Sequence, residues 1–213
     1  MPTPNPTLTA IFDAERTLRA EERALLKTAP AELQALLRTA VEEAKALADR
    51  REATLRLERL ADLCAQVLGS EMVDALIAIL DDDEASVRVQ AAEALVDVGF
   101  ERYAELARGF ERAAADGRRT TALQELPWVL VEIAEPSARG LIARLLAHPD
   151  VEVVASAVEA LAELGDAAAI ADLEPLRDDE RPIELDDEDG DEALATLGDL
   201  VEESIAALQG EQD

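Results

Sequence analysis

Aromatic side chains are nearly missing from this sequence, which has one Trp, one Tyr and three Phe among 213 residues, 2% in all. Apolar residues still make up 49%, so the interior must be assembled from Ala, Leu, Val and Ile. That palette suits closely approaching helices and disfavours a sheet sandwich, which leans on aromatic and β-branched side chains. Cysteine occurs once, at Cys64. An intrachain disulfide is therefore excluded, and a reducing compartment is expected. Histidine also occurs once, at His148, and no second His or nearby Cys completes a metal set at ligand spacing. The nine glycines stand singly, mostly at expected helix ends, so no loop resembles a phosphate cradle. No apolar run reaches the roughly 18 residues of a membrane span. Residues 1–6 carry three prolines with neither a basic region nor an apolar run behind them, so no secretory signal is expected. These absences point to a cytoplasmic protein without metal or cofactor.

Positive charge is the other scarcity, and it is uneven. The formal charge is −28. Residues 1–120 hold 16 Lys/Arg against 23 Asp/Glu, a balance of −7, and residues 121–213 hold 4 against 25, a balance of −21. A field of that sign repels phosphate backbones and anionic lipid and attracts basic proteins. Direct nucleic-acid and membrane binding are disfavoured, and a protein partner with a basic patch is expected.

What the chain does have is an internal repeat. Laid over each other with a shift of 66 residues, DDDEASVRVQAAEALVDVG (81–99) and AHPDVEVVASAVEALAELG (147–165) match in pattern and partly in letters. Both open on an acidic or Pro-containing turn, run through an Ala-rich amphipathic segment and close on Glu-Ala-Leu-x-x-x-Gly. The same shift sets Leu76, Ile79 and Leu80 over Ile142, Leu145 and Leu146. Two units of about 33 residues fit in that interval, a length found among helical-hairpin repeats.

Read along the chain, 1–6 is a disordered tail and 7–213 one domain. A helix over 7–28 is placed as an N-terminal cap, which solenoids need. Segment 31–69 reads as a degenerate hairpin, starting with Pro30 at the first helical position. Its internal break at Asp49–Glu52 contains neither Gly nor Pro, so one long helix over 31–68 is the alternative. Units follow at 70–99, with Ser70 as N-cap, at 100–135 and at 136–165. Gly99 and Gly165 are assigned the left-handed C-cap, and Pro127 predicts a kink or restart near Trp128. The last hairpin, 166–208, is interrupted by 178–191. Ten of residues 178–192 are Asp or Glu, a density that predicts a disordered or loosely held acidic loop.

Helical pairs ending in Glu-Ala-Leu-x-x-x-Gly, with Asp-x-x-Val-Arg or a relative opening the second helix, resemble HEAT repeats. More narrowly, they resemble the short Ala-rich repeats of the phycobilisome-lyase type. The residues that carry this are Val87, Arg88, Ala91, Ala92, Ala94, Leu95 and Gly99, and again Val153, Ala157, Ala160, Leu161 and Gly165. The resemblance implies an all-α fold, a short right-handed α-solenoid of four to five hairpins with an N-terminal capping helix. It departs from the pattern at Val154, the counterpart of Arg88, where the Arg–acid ladder of such arrays lacks its cation.

Chemistry is harder to find. His148 reads as a loop residue, Cys64 as a small buried hydrophobe, and Trp128 as a packing residue. With Gly190 set at position 6 of a calcium loop, Leu185 falls at position 1 and Thr196 at position 12, so the EF-hand test fails. Carboxylates are too abundant for any pair to be singled out as an acid/base couple. The leading function is a non-enzymatic protein-interaction module that docks a basic surface through its acidic concave and C-terminal face. Its candidate contacts are Asp178, Asp179, Glu180, Glu184, Asp186, Asp187, Glu188, Asp189, Asp191 and Glu192. Two alternatives are an auxiliary subunit of an enzyme complex, suggested by the lyase-type resemblance, and an acidic mimic of nucleic acid that occupies a DNA-binding protein.

Overall fold

The computed structural model describes residues 5–185 and 193–210. α-Helices begin on a side-chain cap at Asn5, Asp49 and Asp150. Asn5 accepts from the backbone N–H groups of Thr7 and Leu8 and starts α1 (Pro6–Leu25). Pro30 opens α2 (Pro30–Lys45), its missing N–H costing nothing at a first helical position. Asp49 accepts from Arg51 N at 3.1 Å and Glu52 N at 3.4 Å and starts α3 (Arg50–Ala65). That cap breaks 31–68 into two helices without Gly or Pro, which disposes of the single long helix.

α4 (Ser70–Leu80) is capped by Gly69 rather than by Ser70, which is already helical. α5 spans Ala85–Asp116 with one non-helical residue, Arg102 (φ −144°, ψ 46°), where it kinks. Gly99 therefore lies inside a helix and is not a left-handed cap; its role is close approach. A Cβ on Gly99 would collide with Ile133 Cδ1. Gly165 does take the left-handed conformation, at φ +69°. α6 (Thr120–Ile133) runs unbroken through the buried Pro127, so the restart expected near Trp128 does not occur. In the same turn the Ser156 hydroxyl donates to the Gln124 carbonyl at 2.5 Å. α7 (Ala138–Ile142) passes into a 3-10 turn over Ala143–Ala147, α8 covers Val151–Glu163 behind the Asp150 cap, and α9 (Ala169–Leu173) passes into a 3-10 turn at Glu174–Leu176. α10 is Leu197–Gly210.

These helices stack as an all-α solenoid of two rows. One row is α3, the first half of α5, α6, α8 and α10; the other is α2, α4, the second half of α5, then α7 and α9 with their 3-10 turns. A single apolar interior runs between the rows from Leu33 to Leu208, and Ala91, Leu95, Ala157 and Leu161 are wholly buried in it. Hydrogen bonds between units recur at one repeat length. Lys45 donates to Ala78 O at 2.5 Å and Arg102 to Ala65 O at 2.6 Å, and within the first hairpin Gln34 donates to Leu68 O at 2.6 Å. Each donor reaches a carbonyl at or near the end of another helix, where intrahelical partners run out. α1 is the exception to this packing. Only its last turns touch the core, through Leu25 and Leu26, and Leu8, Ile11 and Phe12 are exposed.

Of the segment expected as an acidic loop, 178–191, residues 186–191 lie outside the described residues. Pro182–Leu185 (β1) and Ala193–Thr196 (β2) pair antiparallel, with Ile183 opposite Ala195. Two interactions hold the described residues before and within β1. Ile183 is only 3% exposed and plugs into the core, and Arg181 grips Asp179, its terminal amine 2.7 Å from the carboxylate. The backbone is tied as well, Leu197 N to Arg181 O and Gly198 N to Asp179 O, both at 2.9 Å.

Candidate functional site

Of the ten carboxylates singled out from the sequence, Asp186, Asp187, Glu188, Asp189, Asp191 and Glu192 lie outside the described residues. Asp178 and Glu180 are exposed on the turn before β1, and Glu184 is in β1 itself. Asp179 is committed internally: its hydrogen bonds and proximity to Arg181 hold its carboxyl below the usual range.

A different acidic surface is fully in view. The first half of α5 and the body of α6 lie side by side, and their outward faces leave a groove of about 580 Å³. Its α5 wall is Ala85, Arg88, Val89, Ala92, Glu93, Val96 and Asp97, and its α6 wall is Glu125, Trp128, Val129 and Glu132. The spacing follows from helix geometry: positions 85, 89, 92 and 96 fall on one stripe of α5, opposite the stripe of Val87, Ala91, Ala94, Leu95 and Val98 that enters the core. α5 is thus apolar on two sides, and one side meets water. Val89 is 58% exposed and Trp128 40%, so Trp128 is a surface residue and not the packing residue its type suggested. Past Trp128 the trough continues into a second hollow of about 260 Å³ between α6, α8 and the β-hairpin, lined by Gln124, Glu152, Ser156, Glu159, Ile183 and Leu200.

Carboxylates rim both hollows. Arg88 is the one cation among the groove residues, and it is spent inside the chain: its Nε donates to Glu125 at 3.0 Å, and its other nitrogen to the carbonyls of Asp82 and Asp83. Glu93, Asp97 and Glu132 form no ion pair among the described residues. Glu159 is pushed above the ordinary carboxylate range, first by burial and then by Glu152. At Val154 the side chain is wholly buried, so the ladder of which Arg88–Glu125 is one rung stops there.

The lone histidine and the lone cysteine are both occupied in the fold. His148 is buried, contrary to its reading as an open loop residue. Its Nδ1 accepts from Asp150 N at 3.1 Å, which leaves Nε2–H to donate to Gly117 O at 3.2 Å. The Cys64 thiol is wholly buried and pushed up to about 12 by that burial, so it holds no thiolate at neutral pH. No group of three or more His, Cys, Asp or Glu is placed to hold a metal ion among the described residues. No described helix is long and apolar enough to cross a membrane.

The sequence reading missed the groove although its signal was present, in the second apolar stripe at 85, 89, 92 and 96. An Ala-rich helix offers so many apolar positions that the stripe facing a neighbour and the stripe facing water look alike until the neighbours are placed.

Against known proteins, residues 119–187 match the family model for HEAT repeats, from the start of α6 to beyond β1. The narrower phycobilisome-lyase resemblance finds no support in that match. No curated protein matches the chain. Among solved structures, the crystal structure of an engineered protein is similar at 16% identity over 92% of this chain and 91% of that one, with a TM-score of 0.34.

Proposed function

We propose that this stack of HEAT-type hairpins is a non-enzymatic interaction module that binds a protein partner through a basic surface. One observation carries the reading. The trough along α5, α6 and α8 is rimmed by Glu93, Asp97, Glu125, Glu132, Glu152 and Glu159, and its single cation is already neutralised within the chain. Such a field accelerates encounter with a basic patch and repels acidic surfaces. The candidate acidic contacts at Asp178, Glu180 and Glu184 continue the same sign toward the C-terminal end. Anionic lipid and nucleic acid are disfavoured by that field, and the expected partner is a lysine- or arginine-bearing protein in the cytoplasm.

The test is a pull-down from native lysate at low and at about 0.5 M salt, where the Debye length shrinks to a few ångströms. It is run with the whole chain and with a variant in which Glu93, Asp97, Glu132 and Glu159 become Gln or Asn. A basic protein captured at low salt, and lost both at high salt and with the variant, supports the reading. Capture that ignores salt and survives the variant overturns it.

A further inference from the structure

The α5 wall of the groove has a spacing of its own. Ala85, Val89, Ala92 and Val96 are separated by four, three and four residues, the interval at which one helix offers knobs and holes to another. On the core side α5 uses its other stripe; Ala92 and Val96 are half-buried where the seam nears the core, and Ala85 and Val89 are exposed, so the outer side of the seam is left uncovered. From Ala85 to Asp97 the seam is about 18 Å long at 1.5 Å per residue, the length of three helical turns. Trp128 and Val129 stand across from it and form the second wall. In heptad terms Glu93 takes the flanking position beside Ala92, where coiled coils set partner choice by charge, and Asp97 and Glu132 extend that rim. Both walls are helices whose backbone groups are paired along their own axes, so the groove offers no sheet edge to an extended chain.

We propose that the groove seats an amphipathic α-helix of a partner protein, about three turns long, with its apolar residues between Val89, Ala92, Val96 and Trp128 and its Lys or Arg residues toward Glu93, Asp97 and Glu132. This rests on the basic-partner reading above and sharpens it, since charge alone would accept any basic chain. The occupant is read by two features at once: anchors repeating every three to four residues, and cations flanking them. Small apolar residues on the partner face Val89 and Val96, and a larger one fits beside the indole, where aromatic contact gives a centre to the interface.

Trp128 is the chain's sole tryptophan, so its emission reports the groove directly. The test titrates the full chain at low salt with three synthetic peptides. One is an amphipathic helix of about 14 residues with Leu and Ala at the seam positions and Lys beside them; the second has the same composition scrambled; the third has Lys and Gly without apolar residues. The expected result is a blue shift of Trp128 emission that saturates at one peptide per chain, with at least tenfold tighter binding for the ordered amphipathic peptide. The Val89→Glu variant adds a carboxylate at an exposed position, and its melting temperature is checked against the parent. It must weaken the amphipathic peptide at least tenfold, whereas a purely electrostatic contact would be kept or strengthened. Equal affinity for the scrambled peptide, or tighter binding by Val89→Glu, overturns the helix seat and leaves the basic-partner reading standing. Binding of none of the three at low salt overturns both.

Discussion

His148 and Gly117 meet across one repeat length: the imidazole of the turn before α8 donates to the carbonyl that ends the second half of α5, 3.2 Å away, while its other nitrogen accepts from Asp150 N. A single side chain thereby closes two helix-end vacancies in adjoining units. Replacing His148 by Ala strips the Gly117 carbonyl of its donor in a mostly buried place. We expect a loss of about 1–3 kcal/mol, read as a lowered midpoint in urea at unchanged slope. Asn, which can donate to one side and accept from the other, should recover part of it. A His148→Ala protein as stable as the parent would show that water replaces the imidazole at no cost.

Leu95 and Leu161 stand 66 residues apart, and both are fully buried in the shared interior. Truncating either to Ala should cost about 2–5 kcal/mol, lost transfer energy plus a cavity. Phe12→Ala, in the exposed half of α1, should stay within about 0.5 kcal/mol. Thermal or urea unfolding of the three variants checks this. A Phe12 effect as large as those of the leucines would mean that α1 is packed in solution.

Gly99 lies where α5 closely approaches Ile133 of α6. Gly99→Ala drives a methyl group into Ile133, which must move, and overpacking of this kind costs about 1–3 kcal/mol. Adding Ile133→Val removes the Cδ1 atom in the way, so the double variant should be more stable than the sum of the single ones. Additive effects in a double-mutant cycle would show that the two sites do not touch.

Glu159 gives a pH dependence of defined sign. Its folded carboxyl binds a proton more tightly than the ordinary value of 4.5 allows. Its charged form therefore disfavours the fold, fully so above the raised value, and the penalty vanishes as pH falls below 4.5. Glu159→Gln should accordingly raise the melting temperature at neutral pH and leave it unchanged near about pH 3.5, below the ordinary glutamate range. Equal effects at the two pH values would mean that the side chain's shape, not its charge, is what matters.

Much of the architecture could be read from the residues because the repeat writes the same physical need several times. Val87, Ala91 and Leu95 recur as Val153, Ala157 and Leu161, and both sets are buried. What escaped the sequence depends on contacts that no local pattern encodes. Pro127 stays inside α6, where its ring is buried by packing and one missing backbone bond is outweighed. Gly99 resembled a terminator by its motif, but the chain turns three residues later, at Arg102, whose guanidinium reaches Ala65 O and Val67 O at the end of α3. Ile183, one apolar residue in an acidic run, is buried in the core opposite Ala195, a contact that average charge density does not encode. For the candidate site the balance was poorer: acidity pointed toward the C-terminal part, but the groove begins on α5, in the part of the chain that carries −7 against −21 for the rest.

The kink at Arg102 has a consequence for how this molecule can be cut and rebuilt. The second and third hairpins are joined by one bent rod, Ala85–Asp116, and lack the extended connector that a protease needs or that a splice would use. Trypsin offered the native chain should leave that junction intact while nicking more open ground. Shortening or lengthening the array by whole modules should succeed at Ala134 or Gly165, which end α6 and α8 in the left-handed conformation, and fail at Gly99, even though the sequence draws its unit border there.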